Sequence, residues 1–354
     1  MSASRSTGTG SPVNPSGLSE RKADHLRLAM ERRMQYHGDF FEAYRFEHNA
    51  LPEIDFDEID TSCTFLGRNL SAPLLISCMT GGTGEAERIN RNLAAGAETT
   101  TVAVGVGSQR AALEDPAREK TFQIRPLAPS VPILANLGAV QLNYGYGIDE
   151  CRRAVEMVDA DALVFHLNPL QEALQPEGQR DFSGLLEKMA RVADQLEVPV
   201  VVKEIGAGIS RKVAEALLER GVRIVDTAGL GGTSWARIEA ERAATPDAGE
   251  LFADWGIPTP RAIRELREVP GLTIIGSGGV RNGVDSAKAL ALGADLVGLA
   301  YPFLHAAAES AGAVVDKVRR TIEELKICMF CVGARTIAEL KRAELRDVRF
   351  PDES

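Results

Sequence analysis

The sequence predicts a closed (β/α)8 TIM barrel with an N-terminal helical arm, and three observations carry the barrel. Short β-branched or aliphatic runs recur, each ends in Gly, Ser, Thr or Asn, and each is followed by a longer stretch of helical character. Eight can be counted: PLLISCMTGG (73–82), VAVGVGSQR (102–110), PILANLG (132–138), ALVFHLN (162–168), PVVVKEIG (199–206), RIVDTAGLGG (223–232), LTIIGSGG (272–279) and LVGLAYP (296–302). Continuously apolar runs alternating with helices read as parallel strands covered on their outer side. An open sheet would need edge strands of different character, and no such run stands out, so closure is the economical arrangement.

Ahead of the runs, SERKADHLRLAMERRM carries apolar residues at helical spacing behind Ser19, a residue suited to capping a helix start. The aromatic stretch FFEAYRFEHNALPEID follows it. The chain thus divides into a flexible tail (1–18), the helical arm (19–60), the barrel (61–345) and a C-terminal tail (346–354).

With 354 residues, 44% hydrophobic and 25% charged, the composition is globular and allows a sizeable core. The formal net charge of −10 provides no overall positive field for nucleic acid or an anionic membrane surface, so any anionic ligand needs a local site. Residues 1–18 lack the apolar segment of a signal peptide, and no stretch is apolar for long enough to span a bilayer. Five cysteines, an odd number scattered through the chain, suit reduced thiols in a cytoplasmic protein. Cys328 and Cys331 form a CxxC without a second ligand pair, and read as two cysteines on a buried helix.

In a barrel of this kind the carboxyl ends of the strands form the active face. After the seventh run, Gly278 and Gly279 precede a helix and expose backbone N–H groups, a phosphate cradle to which Thr233 in GLGGTSWARIE adds a donor. Lys203, inside the barrel by strand alternation, needs an anionic partner, Glu204, Asp226 or an electron-rich ring such as a flavin's N1 and O2 edge, with a Schiff-base lysine as the rival reading. Met79, Thr80 and Gly81 of MTGG and Asn136 of ANLG offer short side chains and open backbone suited to a flat ring. Ser108, Gln109 and Arg110 end the second run, and the Arg110 guanidinium suits a diphosphate. Arg21, Lys22 and His25 share one face of the first helix, where a solvated charged surface is the default. HLNPLQE ends the fourth run with His166, Asn168, Gln171 and Glu172, and a lone carboxylate facing phosphate oxygens is typical of a Mg²⁺ site that keeps most of its waters.

Together RKADH, HNALPE, MTGG, GVGSQR, ANLG, HLNPLQE, VKEIG, GGTSW, DWGIPT and SGGVRNG resemble type 2 isopentenyl diphosphate isomerase, the flavin-dependent form, from about residue 20 to about residue 345. The resemblance implies an enzyme that interconverts isopentenyl and dimethylallyl diphosphate by a 1,3-proton shift, using reduced FMN, Mg²⁺ and NADPH as reductant. It places FMN against Met79, Thr80, Gly81, Ser108, Asn136, Lys203, Thr233, Gly278, Gly279 and Ala300. It places the substrate diphosphate against Arg21, Lys22, Ser108, Gln109, Arg110, His166 and Asn168, with Gln171 beside the isoprenoid carbons as the catalytic polar group and Glu172 as metal ligand. It also implies an arm that closes over the site and a homotetramer or homo-octamer. Two other readings share the fold. An FMN-dependent 2-hydroxy acid oxidase would want a histidine base late in the chain, where His305 lies in an Ala-rich context, and a non-catalytic flavin-binding regulator would not need the HLNPLQE set.

Overall fold

A computed structural model of the protein describes residues 15–348. In chain order the strands are β1 (Tyr44–Phe46), β2 (Cys63–Phe65), β3 (Arg68–Leu70), β4 (Leu74–Ile76), β5 (Ala103–Gly105), β6 (Ile133–Gly138), β7 (Ala162–His166), β8 (Val200–Lys203), β9 (Ile224–Asp226), β10 (Thr273–Ser277), β11 (Leu296–Leu299) and β12 (Leu345–Asp347). Strands β4 to β11 close into a parallel barrel, with β11 hydrogen-bonded back to β4. Each corresponds to one of the eight apolar runs, and helices between them cover the outside.

Alternation along these strands builds two cores and a floor. One position of each strand points inward: Leu75, Ala103, Leu134, Val164, Val201, Ile224, Ile275 and Leu296 belong to one interior cluster. Their neighbours, including Leu74, Ile76, Ile133, Leu163, Val200, Val202 and Val225, pack outward against helices. Two residues further along, the inward position passes from apolar to polar or minimal, giving Ser77, Asn136, His166, Lys203, Asp226, Ser277 and Gly298. The sequence therefore changes chemistry at one level of the barrel, and that level is the floor of the site.

The opposite end is plugged. The antiparallel hairpin β2–β3 sends Phe65 and Leu70 into the interior cluster, each buried, a contribution of roughly 1.5–3 kcal/mol per side chain. Asp161 secures the same end: it accepts from Arg125 Nη2 at 2.6 Å, Arg68 Nε at 2.8 Å and the Ile133 N–H at 2.8 Å.

The ends of the described chain differ from the sequence expectation. The first helix is Pro15–Ala29, so Ser19 lies within it instead of capping it. Proline tolerates a first helical turn because its missing N–H would be unpaired there anyway. Residues 15–18 thus belong to the arm, and the rest of the expected N-terminal tail lies outside the described residues. At the other end Arg346 and Asp347 are strand, paired with Arg45 and Tyr44, while 349–354 lie outside the described residues. Cys328 and Cys331 sit half-buried on the helix Ala311–Val332. Among the described residues no helix is long and apolar enough to cross a membrane.

Candidate active site

Above the floor the strand ends and the arm enclose a cavity of about 280 Å³, close to the ~300 Å³ lower end for small-molecule sites. Its wall includes Met79, Thr80, Gly81, Ser108, Asn136, Lys203, Thr233, Gly278, Gly279 and Ala300, as well as Arg21, Lys22, Arg110, His166, Asn168, Gln171 and Glu172. Of the residues singled out from sequence, Gln109 is the exception. It is fully buried and turned away: its Nε2 donates to the Ala154 carbonyl at 2.8 Å and its Oε1 accepts from the Asn136 N–H at 2.9 Å. It sits directly before the helix Arg110–Glu114, where the chain turns, and that turn aims Gln109 into the scaffold while Arg110 faces the cavity. The Gln109 side chain clips β6 in place and does not line the cavity.

One side of the cavity is cationic. Lys22 donates to the Ser108 carbonyl at 2.8 Å and lies over the Phe122 ring. Burial, with Arg21, Arg118 and Arg110 nearby, pulls its ammonium down to about 7. Burial and Arg110 also lower Arg21, although Glu177 stands 3.9 Å away. The RKADH face is therefore not a solvated surface: it points into the cavity, where like charges press together and an anion would relieve them. Arg110 is held by Glu114 at 2.7 Å and Gln179 at 3.0 Å, its guanidinium only 13% exposed.

HLNPLQE folds as the end of β7 and the short helix Pro169–Leu174. Asn168 Nδ2 donates both to Gln171 Oε1 at 2.9 Å and to Glu172 Oε1 at 3.0 Å, and the Gln179 N–H donates to Glu172 Oε2 at 2.6 Å. Asn168 Oδ1, buried, has no hydrogen-bond partner among the described residues. A carboxylate with free lone pairs beside an unpartnered amide oxygen fits a hydrated divalent cation, which Glu172 and Asn168 would hold. His166 Nδ1 lies 2.8 Å from Asn136 Oδ1, which fixes the proton on Nδ1 and leaves Nε2 open. Burial, then Lys203 and Lys22, push this imidazole down to about 3, so it is neutral.

Lys203 donates to the Glu204 carbonyl at 2.5 Å and not to a carboxylate. The Glu204 carboxylate is taken by the N–H groups of Ile205 at 2.6 Å and Gly206 at 2.7 Å, with Ala207 and Gly208 behind them. Asp226 accepts from Ser277 Oγ and the Ala228 N–H, and burial raises it although Lys203 and Ser277 oppose that. The Lys203 ammonium is thus left with charge to share, as a site for an electron-rich ring edge requires.

The cradle is glycine for steric reasons. Gly278 and Gly279 have φ of +105° and +74°, and a Cβ on either would collide with the backbone of Gly229 or Gly231 in the preceding loop. Thr233 Oγ1 accepts from Gln35 Nε2 at 2.9 Å, which leaves its own proton to donate. Arg281 ties the cradle to the arm: Nη1 donates to the Gly279 carbonyl at 3.1 Å, and Nη2 approaches the carbonyls of Gly231, Tyr36 and Gly38 at 3.0–3.3 Å. Open backbone donors, a lysine on the floor and small residues at MTGG fit a flavin mononucleotide, which Lys203, Thr233, Gly278 and Gly279 would hold.

Sequence reasoning missed Glu239. It is fully buried on the helix Trp235–Arg242, accepts from Gln171 Nε2 at 2.7 Å and Arg242 Nη1 at 2.7 Å, and lies 2.8 Å from His25 Nε2. Burial raises its carboxyl, but His25, Gln171 and Arg242 together hold it below the ordinary value. The signal was present: Trp235 and Glu239 stand i, i+4 and so share a helix face.

Comparison with known proteins agrees with this geometry. A family model described as FMN-dependent dehydrogenase matches residues 169–347. Isopentenyl-diphosphate delta-isomerase of Nostoc sp. is 51% identical over 329 residues, covering 91% of this chain and 94% of its own. That of Paracoccus zeaxanthinifaciens is 52% identical over 332 residues, covering 91% and 95%. The chain belongs to the isopentenyl-diphosphate delta-isomerase family. It is an enzyme of that type, and the family supports FMN as cofactor. Among solved structures, a mandelate oxidase variant with an FMN adduct superposes with a TM-score of 0.62 at 16% identity, covering 91% of this chain and 92% of its own. A flavocytochrome b2 variant with sulfite bound gives 0.67 at 19%, covering 96% and 85%. At such identities these two speak to the barrel alone.

Proposed function

We propose that this chain interconverts isopentenyl and dimethylallyl diphosphate, with FMN in its reduced form, Mg²⁺ on Glu172 and NADPH as the reductant, as a cytoplasmic homo-oligomer. The observation that carries the reading is one cavity with a crowded cationic side, Arg21, Lys22 and Arg110, and a neutral amide, Gln171, at its other end with the glycine cradle in the same wall.

A 1,3-proton shift on an unactivated alkene needs a proton delivered to one carbon and removed from another. FMN, when bound and reduced, would supply that proton chemistry through N5. Mg²⁺, when bound, would neutralise diphosphate charge. The chain's own groups do the rest. Arg21, Lys22, Arg110 and Ser108 bind the diphosphate. Burial first, then Lys203 and Lys22, keep His166 neutral, and the diphosphate's negative charge would oppose the last two. Gln171, pinned between Asn168 and Glu239, orients the carbon skeleton through a side chain that cannot rotate without breaking both bonds. The arm, laid over the cavity by Gln35 and Arg281, excludes water.

An oxidase reading lacks its base. His305 packs edge-on against Tyr301 in the helix Tyr301–Glu309 and is absent from the cavity wall. The deciding test is anaerobic NMR of isopentenyl diphosphate in deuterated water with protein, FMN and Mg²⁺, with and without dithionite. Deuterium-labelled dimethylallyl diphosphate should form only in the reduced sample. Protein that holds FMN and converts nothing in either would refute the reading.

A further inference from the structure

The main cavity has a small neighbour, a side pocket of about 30 Å³ lined by Leu170, Ile205, Leu230, Phe252 and Trp255 among others. Trp235 and Gln171 face both spaces, so they stand in the wall between them. The indole is a fixed part of that wall: the His25 ring meets it edge-on at 5.2 Å, and Leu28, Met34 and Ile238 pack beside it. Beyond it the pocket is lined mainly by apolar groups, with Glu204, Thr233 and Ser234 also in its wall, and Trp255 in that wall is 63% exposed. Gln171 marks the carbon end of the ligand in the function proposed above, and this inference rests on that reading.

We propose that Trp235 is a specificity-determining residue that caps the hydrocarbon at short length, and that the side pocket is an alkyl subsite it keeps closed. The chemistry is size exclusion followed by burial. With the indole present, a longer alkyl group on the alkene meets a rigid ring. With it removed, each added methylene that enters the side pocket should strengthen binding about fourfold.

The test is calorimetric titration of the flavin-loaded protein with Mg²⁺, using homoallylic diphosphates that carry methyl, propyl or pentyl at the branch carbon. Wild-type protein should favour methyl over pentyl at least about tenfold, and Trp235→Ala should erase or invert that ratio. Adding Ala253→Leu to Trp235→Ala refills the side pocket and should restore it, because Ala253 lines the pocket but not the main cavity. If Trp235→Ala does not fold, Trp235→Phe should shift the ratio less but in the same direction. An unshifted ratio in either variant, with FMN still bound, overturns the proposal. Isomerisation of the methyl compound by wild-type protein is read separately. Turnover with an unshifted ratio removes the cap alone, whereas a shifted ratio without turnover keeps the cap and removes the isomerase reading.

Discussion

The two ends of the barrel use polar groups in opposite ways. At the plugged end Asp161 is saturated by two arginines and a backbone N–H, and Phe65 and Leu70 exclude water beneath it. At the mouth Asn168 Oδ1 and Ser77 Oγ are buried without partners among the described residues, three cations crowd one wall, and two glycines hold positive φ. The closed end gains stability from its charges. The open end crowds like charges together and leaves two hydrogen bonds unmet, a pattern that suits a site for an anionic ligand.

Four substitutions or conditions sharpen that contrast. Glu172→Gln should lower kcat/KM about 10³-fold and abolish Mg²⁺ dependence while leaving Tm nearly unchanged. Steady-state rates over a Mg²⁺ series decide it, and Mg²⁺-stimulated turnover in the variant would show that Glu172 is not the ligand. Lys203→Ala should weaken FMN roughly 30-fold or more and purify nearly colourless, which flavin absorbance reports directly. Asp161→Ala inverts the pattern: it should cost about 2 kcal/mol in denaturant unfolding with kcat/KM kept within about twofold. A large activity loss there would erase the division between the ends. The smallest effect is one of pH. The free Lys22 loses its proton near 7, and the diphosphate binds the charged form. KM should therefore rise with pH above about 7, by up to about tenfold per unit, and a Lys22→Arg variant, still charged, should flatten that rise.

The barrel was legible because its strands are buried on both faces, and double burial writes a continuous apolar run that breaks only where the floor begins, at Asn136, His166 and Lys203. The site was legible where a polar group closes such a run, as in HLNPLQE. It was obscure where a tertiary turn sets direction: Ser108, Gln109 and Arg110 are adjacent, yet one backbone turn sends the middle one into the scaffold. Glu239 was missed because a carboxylate amid charged neighbours on a helix looks solvated until His25 and Gln171 are brought to it from elsewhere. The pairing of β1 with β12 joins segments about three hundred residues apart, and neither carries a local mark of its partner.

Arg281 bears on the order of events. One guanidinium reaches carbonyls of the cradle, of the loop before it and of the arm, so these three segments share a mechanical joint. By thermodynamic reciprocity, a ligand that steadied the cradle would steady the arm, and the arm would return the same free energy to that ligand. One side chain thus joins three segments that lie far apart in the sequence, so Arg281→Ala should loosen the arm and the cradle together.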